Sequence, residues 1–208
     1  MNERKEKLSD WGLYQSFEEL EQHEEYGKDY DILIEERDSK IAILAPHGGY
    51  IEPGTTEIAR LLAGNQFSVY SFCGLEESRG HDLHITSRLF DEPRALALAA
   101  VSRHVVTIHS MSHDEPFILI GGRAQALADS ISRHLAHAGF LIAGLERDPR
   151  CAGMHEKNIC NRGISGEGVQ IELSTGLLAL FAERPDILQS FLVAVRQVLE
   201  EYDAEDSL

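Results

Sequence analysis

The chain has 208 residues, 43% of them hydrophobic, and a formal net charge of −16. That length suits a single domain with a sizeable core, and no stretch approaches the ~18 consecutive apolar residues of a membrane span. The charge excludes broad nucleic-acid or membrane-surface binding, which needs a basic face. It is unevenly placed. Residues 1–38 carry a net of −8 and residues 195–208 a net of −4, so 39–194 carries only −4. Nearly all the basic residues of that middle part are arginines, which leaves room for a local anion site. The acidic segment 1–28 and the tail 203–208 are expected to be peripheral to one domain spanning 1–208. Met1 to Lys7 is charged and leads into no apolar run, so no secretory signal and a cytoplasmic location are expected. The three cysteines, Cys73, Cys151 and Cys160, lack metal-type spacing and read as reduced thiols.

In chain order, Tyr14, Phe17 and Leu20 recur at helical spacing among acidic residues. They predict an amphipathic surface helix that Gly27 ends. Tyr30 to Glu35 reads as a strand, and Asp38-Ser39 as a turn. Ile41-Ala42-Ile43-Leu44-Ala45 is a continuous apolar run, the pattern of a strand covered on both faces. Pro46 ends the run, His47 to Gly54 reads as a loop, and a helix follows from about Thr55. Functional side chains concentrate on loops held at strand ends. This loop carries His47 and Glu52, and imidazole and carboxylate are ordinary zinc ligands. A catalytic zinc takes three protein ligands and keeps one position open. Gly48 and Gly49 let the backbone approach closely. A phosphate-binding turn, or a strained connection with an incidental histidine, fits these residues as well.

Gln66 to Phe72 alternates as a half-buried strand, and Leu83 to Ser87 is a short second candidate. Pro93 to Ala100 predicts a helix with proline in its first turn. His104 to His109 is a β-branched strand that closes on a histidine. Sites in open α/β sheets lie at the carboxyl ends of strands, so His47 and His109 can converge there. A satisfied rim histidine is the plainer reading of His109. His104 starts the strand and His113 lies past the turn, which makes both weaker candidates. Pro116 to Ile120 reads as a strand and Arg123 to Ala138 as a helix stopped by Gly139. Phe140 to Ala143 reads as a strand and Asp148 to Gly153 as a loop. In Gly168 to Ser174, Val169, Ile171 and Leu173 share one face, and Gln170, Glu172 and Ser174 the other. Glu172 therefore points away from the apolar face, as a general base at a metal-bound water would, or as an exposed strand glutamate does. Arg162 suits a bidentate carboxylate clamp or a surface ion pair. Pro185 to Tyr202 is a well-formed amphipathic helix.

Several blocks together resemble a known family. They are Pro46-His47-Gly48-Gly49 with Ile51 to Thr55, Leu83 to Ser87 with Phe90 to Pro93, Val106 to His109, and Asn158 to Arg162 with Gly168 to Ser174. Their order is similar to that of the phage-type poly-γ-glutamate hydrolases, small zinc peptidases, from about Tyr14 to Ser174. The resemblance implies a single α/β domain, carboxypeptidase-like, with a mixed parallel and antiparallel sheet flanked by helices. It implies one zinc ion held by His47, Glu52 and His109, with Glu172 as general base. It implies Arg162, His84, Ser87 and Arg88 as substrate-binding residues. The expected reaction is metal-assisted hydrolysis of a γ-glutamyl amide, in a polymer or a small γ-glutamyl or acyl amino acid. The expected state is a monomer or small homo-oligomer, released by lysis if phage-derived. A small amidase and an inactive metal- or anion-binding module are the alternatives. The chain departs from the family pattern at Ser110-Met111, where a Gly-Cys pair is usual, and at Leu177-Leu178, where an arginine is frequent.

Overall fold

The structure, a computed structural model, describes residues 12–205. Six strands form one mixed sheet: β1 (Tyr30–Glu35), β2 (Ile41–Gly49), β3 (Ser68–Gly74), β4 (His104–Met111), β5 (Ile118–Gly121) and β6 (Val169–Ser174). Their spatial order is β1-β3-β2-β4-β6-β5. The four inner strands run parallel, and the two edge strands are antiparallel to their neighbours. This is the α/β, mixed-sheet class expected from the sequence.

Strand periodicity divides the core in two, because successive side chains point to opposite faces. On one face lie Ile41, Ile43, Val69, Val106, Ile108, Val169 and Ile171. They pack under α2 (Thr55–Ala63), α4 (Gln125–His137), α5 (Thr175–Glu183) and α6 (Pro185–Glu205). On the other face Ala42, Leu44, Tyr70, Phe72 and Val105 pack under α1 (Phe17–Glu21) and α3 (Pro93–Val101). Gln170, Glu172 and Ser174 of β6 alternate onto this second face, so a polar site and an apolar core share one side of the sheet.

Several expected elements differ. Residues 66–72 were expected to be half-buried, but β3 is buried almost throughout, because helices or loops cover both of its faces. Leu83 to Ser87 is not a strand. A 3₁₀ segment, Glu77–Leu83, leads into an extended connection that crosses the end of the sheet. Phe140 to Ala143 makes only an isolated bridge, Ile142 to Ile118, beside β5. Helix α1 is five residues long and ends well before Gly27. Its segment is not peripheral: Tyr14, Phe17, Leu20 and Glu24 are all buried. The helix α5, started by the Ser174 side chain accepting from the Leu177 N–H, had no counterpart in the sequence reading. Residues 1–11 and 206–208 lie outside the described residues. Among the described residues, no helix is long and apolar enough to cross a membrane.

Candidate active site

The site is built at the carboxyl ends of β2, β4 and β6, where open α/β sheets place their ligands. β2 does not stop at Pro46. It runs on to Gly49, with a register shift against β3 between Ala45 and Gly48. His47 therefore sits on an irregular strand end and not in a free loop. Bulges of this kind re-aim side chains beside functional sites. The following turn is tied by the Glu52 N–H donating to the His47 carbonyl at 2.8 Å and by the Thr55 hydroxyl donating to the Glu52 carbonyl at 2.8 Å. The glycines are required. A Cβ on Gly48 would lie 2.0 Å from Ser71 Oγ, and Gly49 has φ of 62°.

The turn returns Glu52 to His47, with Glu52 Oε1 2.7 Å from His47 Nδ1. The other ring nitrogen, His47 Nε2, lies 2.8 Å from the Ile85 carbonyl. A carbonyl can only accept, so Nε2 donates, and a neutral ring turns its Nδ1 lone pair toward Glu52. His109 Nδ1 lies 3.1 Å from the same His47 Nδ1 and 3.4 Å from Glu52 Oε2. Its own Nε2 is 3.4 Å from Ser87 Oγ. The Ser110 N–H donates to Glu52 Oε2 at 2.7 Å, while Oε1 faces His47. Two imidazole nitrogens and the Glu52 carboxylate thus lie within 3.4 Å of one another. This arrangement suits a cation, and the donor set is one that zinc accepts. His84 stands on the other side. Its ring centroid is 4.0 Å from that of His47, and the ligand atoms of His47, Glu52 and His84 all lie within 4.8 Å of one another.

Glu172 is the direct cross-strand partner of His109 in the β4–β6 ladder. Burial raises its carboxyl to about 7, a shift that His109 opposes and the charge of Glu52 reinforces. Burial would also raise Glu52, but the charges of His47 and His109 outweigh it and hold Glu52 well below the usual carboxylate range. Burial lowers His109, yet Glu52 and Glu172 more than compensate and leave it raised. Two carboxylates pushed in opposite directions are the pattern of divided acid–base roles.

Around these groups lies a cleft of about 800 Å³. His47, Glu52, His109 and Glu172 reach it from the sheet. Arg88, Met111 and the turn from Asp148 to Ala152 border it. His84 and Ser87 line it too, as the resemblance implied. The structure does not bring Arg162 there. Ile159, Cys160 and Asn161 turn inward and are buried, which leaves Arg162 exposed. Gly163 beside it packs against the backbone of Ser102 and Arg103, next to the start of β4 and opposite His109. A cation the sequence reading did not single out, Arg150, lines the cleft, its guanidinium held by Asp148 at 2.7 and 2.8 Å. Gln170 and Asn158 were also passed over, although the alternation of β6 already placed Gln170 on the face of Glu172.

A profile described as poly-gamma-glutamate hydrolase matches residues 14–190. The chain belongs to the poly-γ-glutamate hydrolase family. This family member is 40% identical to the YndL protein of Bacillus subtilis (strain 168) over 164 residues, which cover 79% of this chain. The matched stretch spans 64% of the length of YndL. The solved structure of a bacteriophage poly-gamma-glutamate hydrolase superposes with a TM-score of 0.86 at 29% identity, covering 92% of this chain and 98% of that one. A structure of YndL described as zinc-free superposes with a TM-score of 0.84 at 35% identity, covering 91% of this chain and 98% of that one.

Proposed function

We propose that the chain is a zinc-dependent hydrolase of γ-glutamyl amide bonds, with poly-γ-glutamate as its substrate. The observation that carries this reading is the convergence of His47 Nδ1, His109 Nδ1 and the Glu52 carboxylate beside the buried Glu172. The description of a related structure as zinc-free supports zinc as the ion. His47, Glu52 and His109 would hold it, with His84 beside them. When bound, zinc supplies Lewis acidity to the scissile carbonyl and acidifies the attacking water.

The remaining work falls to side chains. Glu172 takes the proton of the attacking water and passes it to the leaving nitrogen. A carboxyl raised to about 7 is poised to do both near neutral pH. The Ile85 carbonyl keeps His47 in the tautomer that offers Nδ1. Arg88 and Arg150 border the cleft and offer cations to the carboxylates that flank each bond of a γ-linked glutamate chain. These arginines counter, at the cleft, a net charge of −16 that otherwise slows encounter with a polyanion.

The test is metal analysis of the purified protein, followed by chain-length measurement of poly-γ-glutamate with and without a chelator. One zinc per chain, shortening of the polymer, and loss of shortening on chelation are expected. An untouched polymer with stoichiometric zinc would reject the substrate. Full activity after complete metal removal would reject the chemistry.

A further inference from the structure

Glu172 sits at the end of a chain of buried amides whose direction is set elsewhere. The two ends of a side-chain amide have nearly the same shape, so partners decide which way it points. Here the decision starts from a group without a choice. The backbone N–H of Cys160 can only donate, and it donates to Asn158 Oδ1 at 3.1 Å. Asn158 must therefore turn its Nδ2 outward, and that nitrogen donates to Gln170 Oε1 at 2.8 Å. With its oxygen occupied, Gln170 must turn its Nε2 to Glu172, and it donates to Glu172 Oε1 at 2.8 Å. The same nitrogen reaches the Cys151 carbonyl at 3.3 Å, which ties the relay to the turn carrying Arg150. Asn158 and Gln170 are both buried, so water does not readily replace a missing partner.

We propose that Gln170 is the positioning residue of Glu172, and that Asn158, fixed by the Cys160 N–H, sets the direction in which Gln170 acts. The inference rests on the reading of Glu172 as general base. The terminal torsion of a glutamate is soft, and an unheld carboxylate samples many orientations. Gln170 holds Oε1, beside a second hydrogen bond between the carboxyl and the Cys151 thiol, and so fixes the plane in which the carboxyl accepts and returns the proton. Groups that orient a reacting side chain without touching substrate are typically worth about 10–100-fold in activity.

The experiment reverses the relay. In Asn158→Asp, Oδ1 still accepts from Cys160, but no donor remains for Gln170. Its amide then turns over, and its oxygen faces Glu172. Asn158→Ala, smaller and uncharged, removes the donor to Gln170 together with the acceptor for Cys160; it carries the test should the aspartate variant fail to fold. Gln170→Leu removes the link altogether. Each is expected to lower kcat about 10-fold or more with little change in KM and full zinc content. The double variant Asn158→Asp with Gln170→Leu is expected to be no worse than Gln170→Leu alone, because Asn158 acts only through Gln170.

Three results would overturn parts of this scheme separately. Wild-type kcat in the Asn158 and Gln170 variants, with an inactive Glu172→Gln, ends the relay and leaves the base in place. Additive losses in the double variant end the order of action. A fully active Glu172→Gln ends the reading on which the relay stands.

Discussion

Two carboxylate clusters among the described residues are built on opposite rules. In one, Arg79 donates to Glu24 through two contacts of 2.7 Å and to Asp29 at 2.9 Å, and the Tyr14 hydroxyl also donates to Glu24. Every carboxylate there meets a donor. The cluster staples the N-terminal segment to the stretch that leads into His84. In the other, two imidazoles and the Glu52 carboxylate crowd within 3.4 Å of one another, and the Ser110 N–H donates to Glu52 Oε2. Matched donors make a brace. Imidazoles and a carboxylate, held in place by groups behind them, make a place for a cation. The distinction separates a structural cluster from a chemical one without reference to any relative.

The largest contrast is expected from Glu172→Gln, at the histidine-lined site. General-base catalysis is typically worth about 10²–10⁴-fold, so kcat should fall by that factor while zinc content stays full. Steady-state kinetics with metal analysis on the same preparation checks both.

The same substitution should act oppositely on stability. The folded pKa of Glu172 is raised from 4.5 to about 7, so the folded state binds more protons than the unfolded state between those values. Stability is lost as pH rises through that window, since ∂ΔG/∂pH follows the excess protons of the unfolded state. Removing the charge with glutamine should stabilise the metal-free protein at pH 8 by on the order of 3 kcal/mol, and by little at pH 4. Urea unfolding at the two pH values reads the difference. A variant no more stable than the wild type at pH 8 would remove the strain argument.

Arg79→Ala tests the matched cluster. It strands Glu24 and Asp29, which are buried, although the guanidinium itself is partly exposed. A loss of about 2 kcal/mol is expected, below the figure for a fully buried pair because of solvent screening. The kcat of the folded fraction should hold, since Arg79 touches no group of the cleft. A collapse of kcat without loss of stability would show that the brace positions His84 directly.

The smallest effects belong to the outer cations. Arg88→Ala should raise KM about two- to five-fold with little change in kcat, the scale of an exposed ion pair. Arg162→Ala should leave KM unchanged, because that side chain points away from the cleft. Equal effects from both would mean that long-range charge matters more than placement.

Much of this was readable from one dimension. The run Ile41 to Ala45 announced a strand buried on both faces, and it is the centre of the sheet. His104 to His109 announced a strand closing on a histidine, and alternation put Glu172 on the face away from the apolar core. Pattern of this kind is local, and a period of two or 3.6 residues fixes which face a side chain takes. It does not fix what covers that face. β3 alternates in sequence and is still buried almost throughout, because α2 and the loop through Phe90 close over it. Leu83 to Ser87 has strand-like residues and forms none; it crosses the sheet end as an extended connection, where the Ile85 carbonyl sets the His47 tautomer from 38 residues away. Arg162 belongs to a motif whose apolar residues turn inward, and burial of Ile159 and Cys160 decided that the arginine turned out. The sequence by itself determined the strands, their faces and the residue types able to bind a cation. Only the tertiary structure decided which nitrogen each histidine offers, which donor Glu172 receives and which arginines share its cleft. Hydrogen-bond direction and desolvation depend on partners distant in the chain, and no local spacing encodes them.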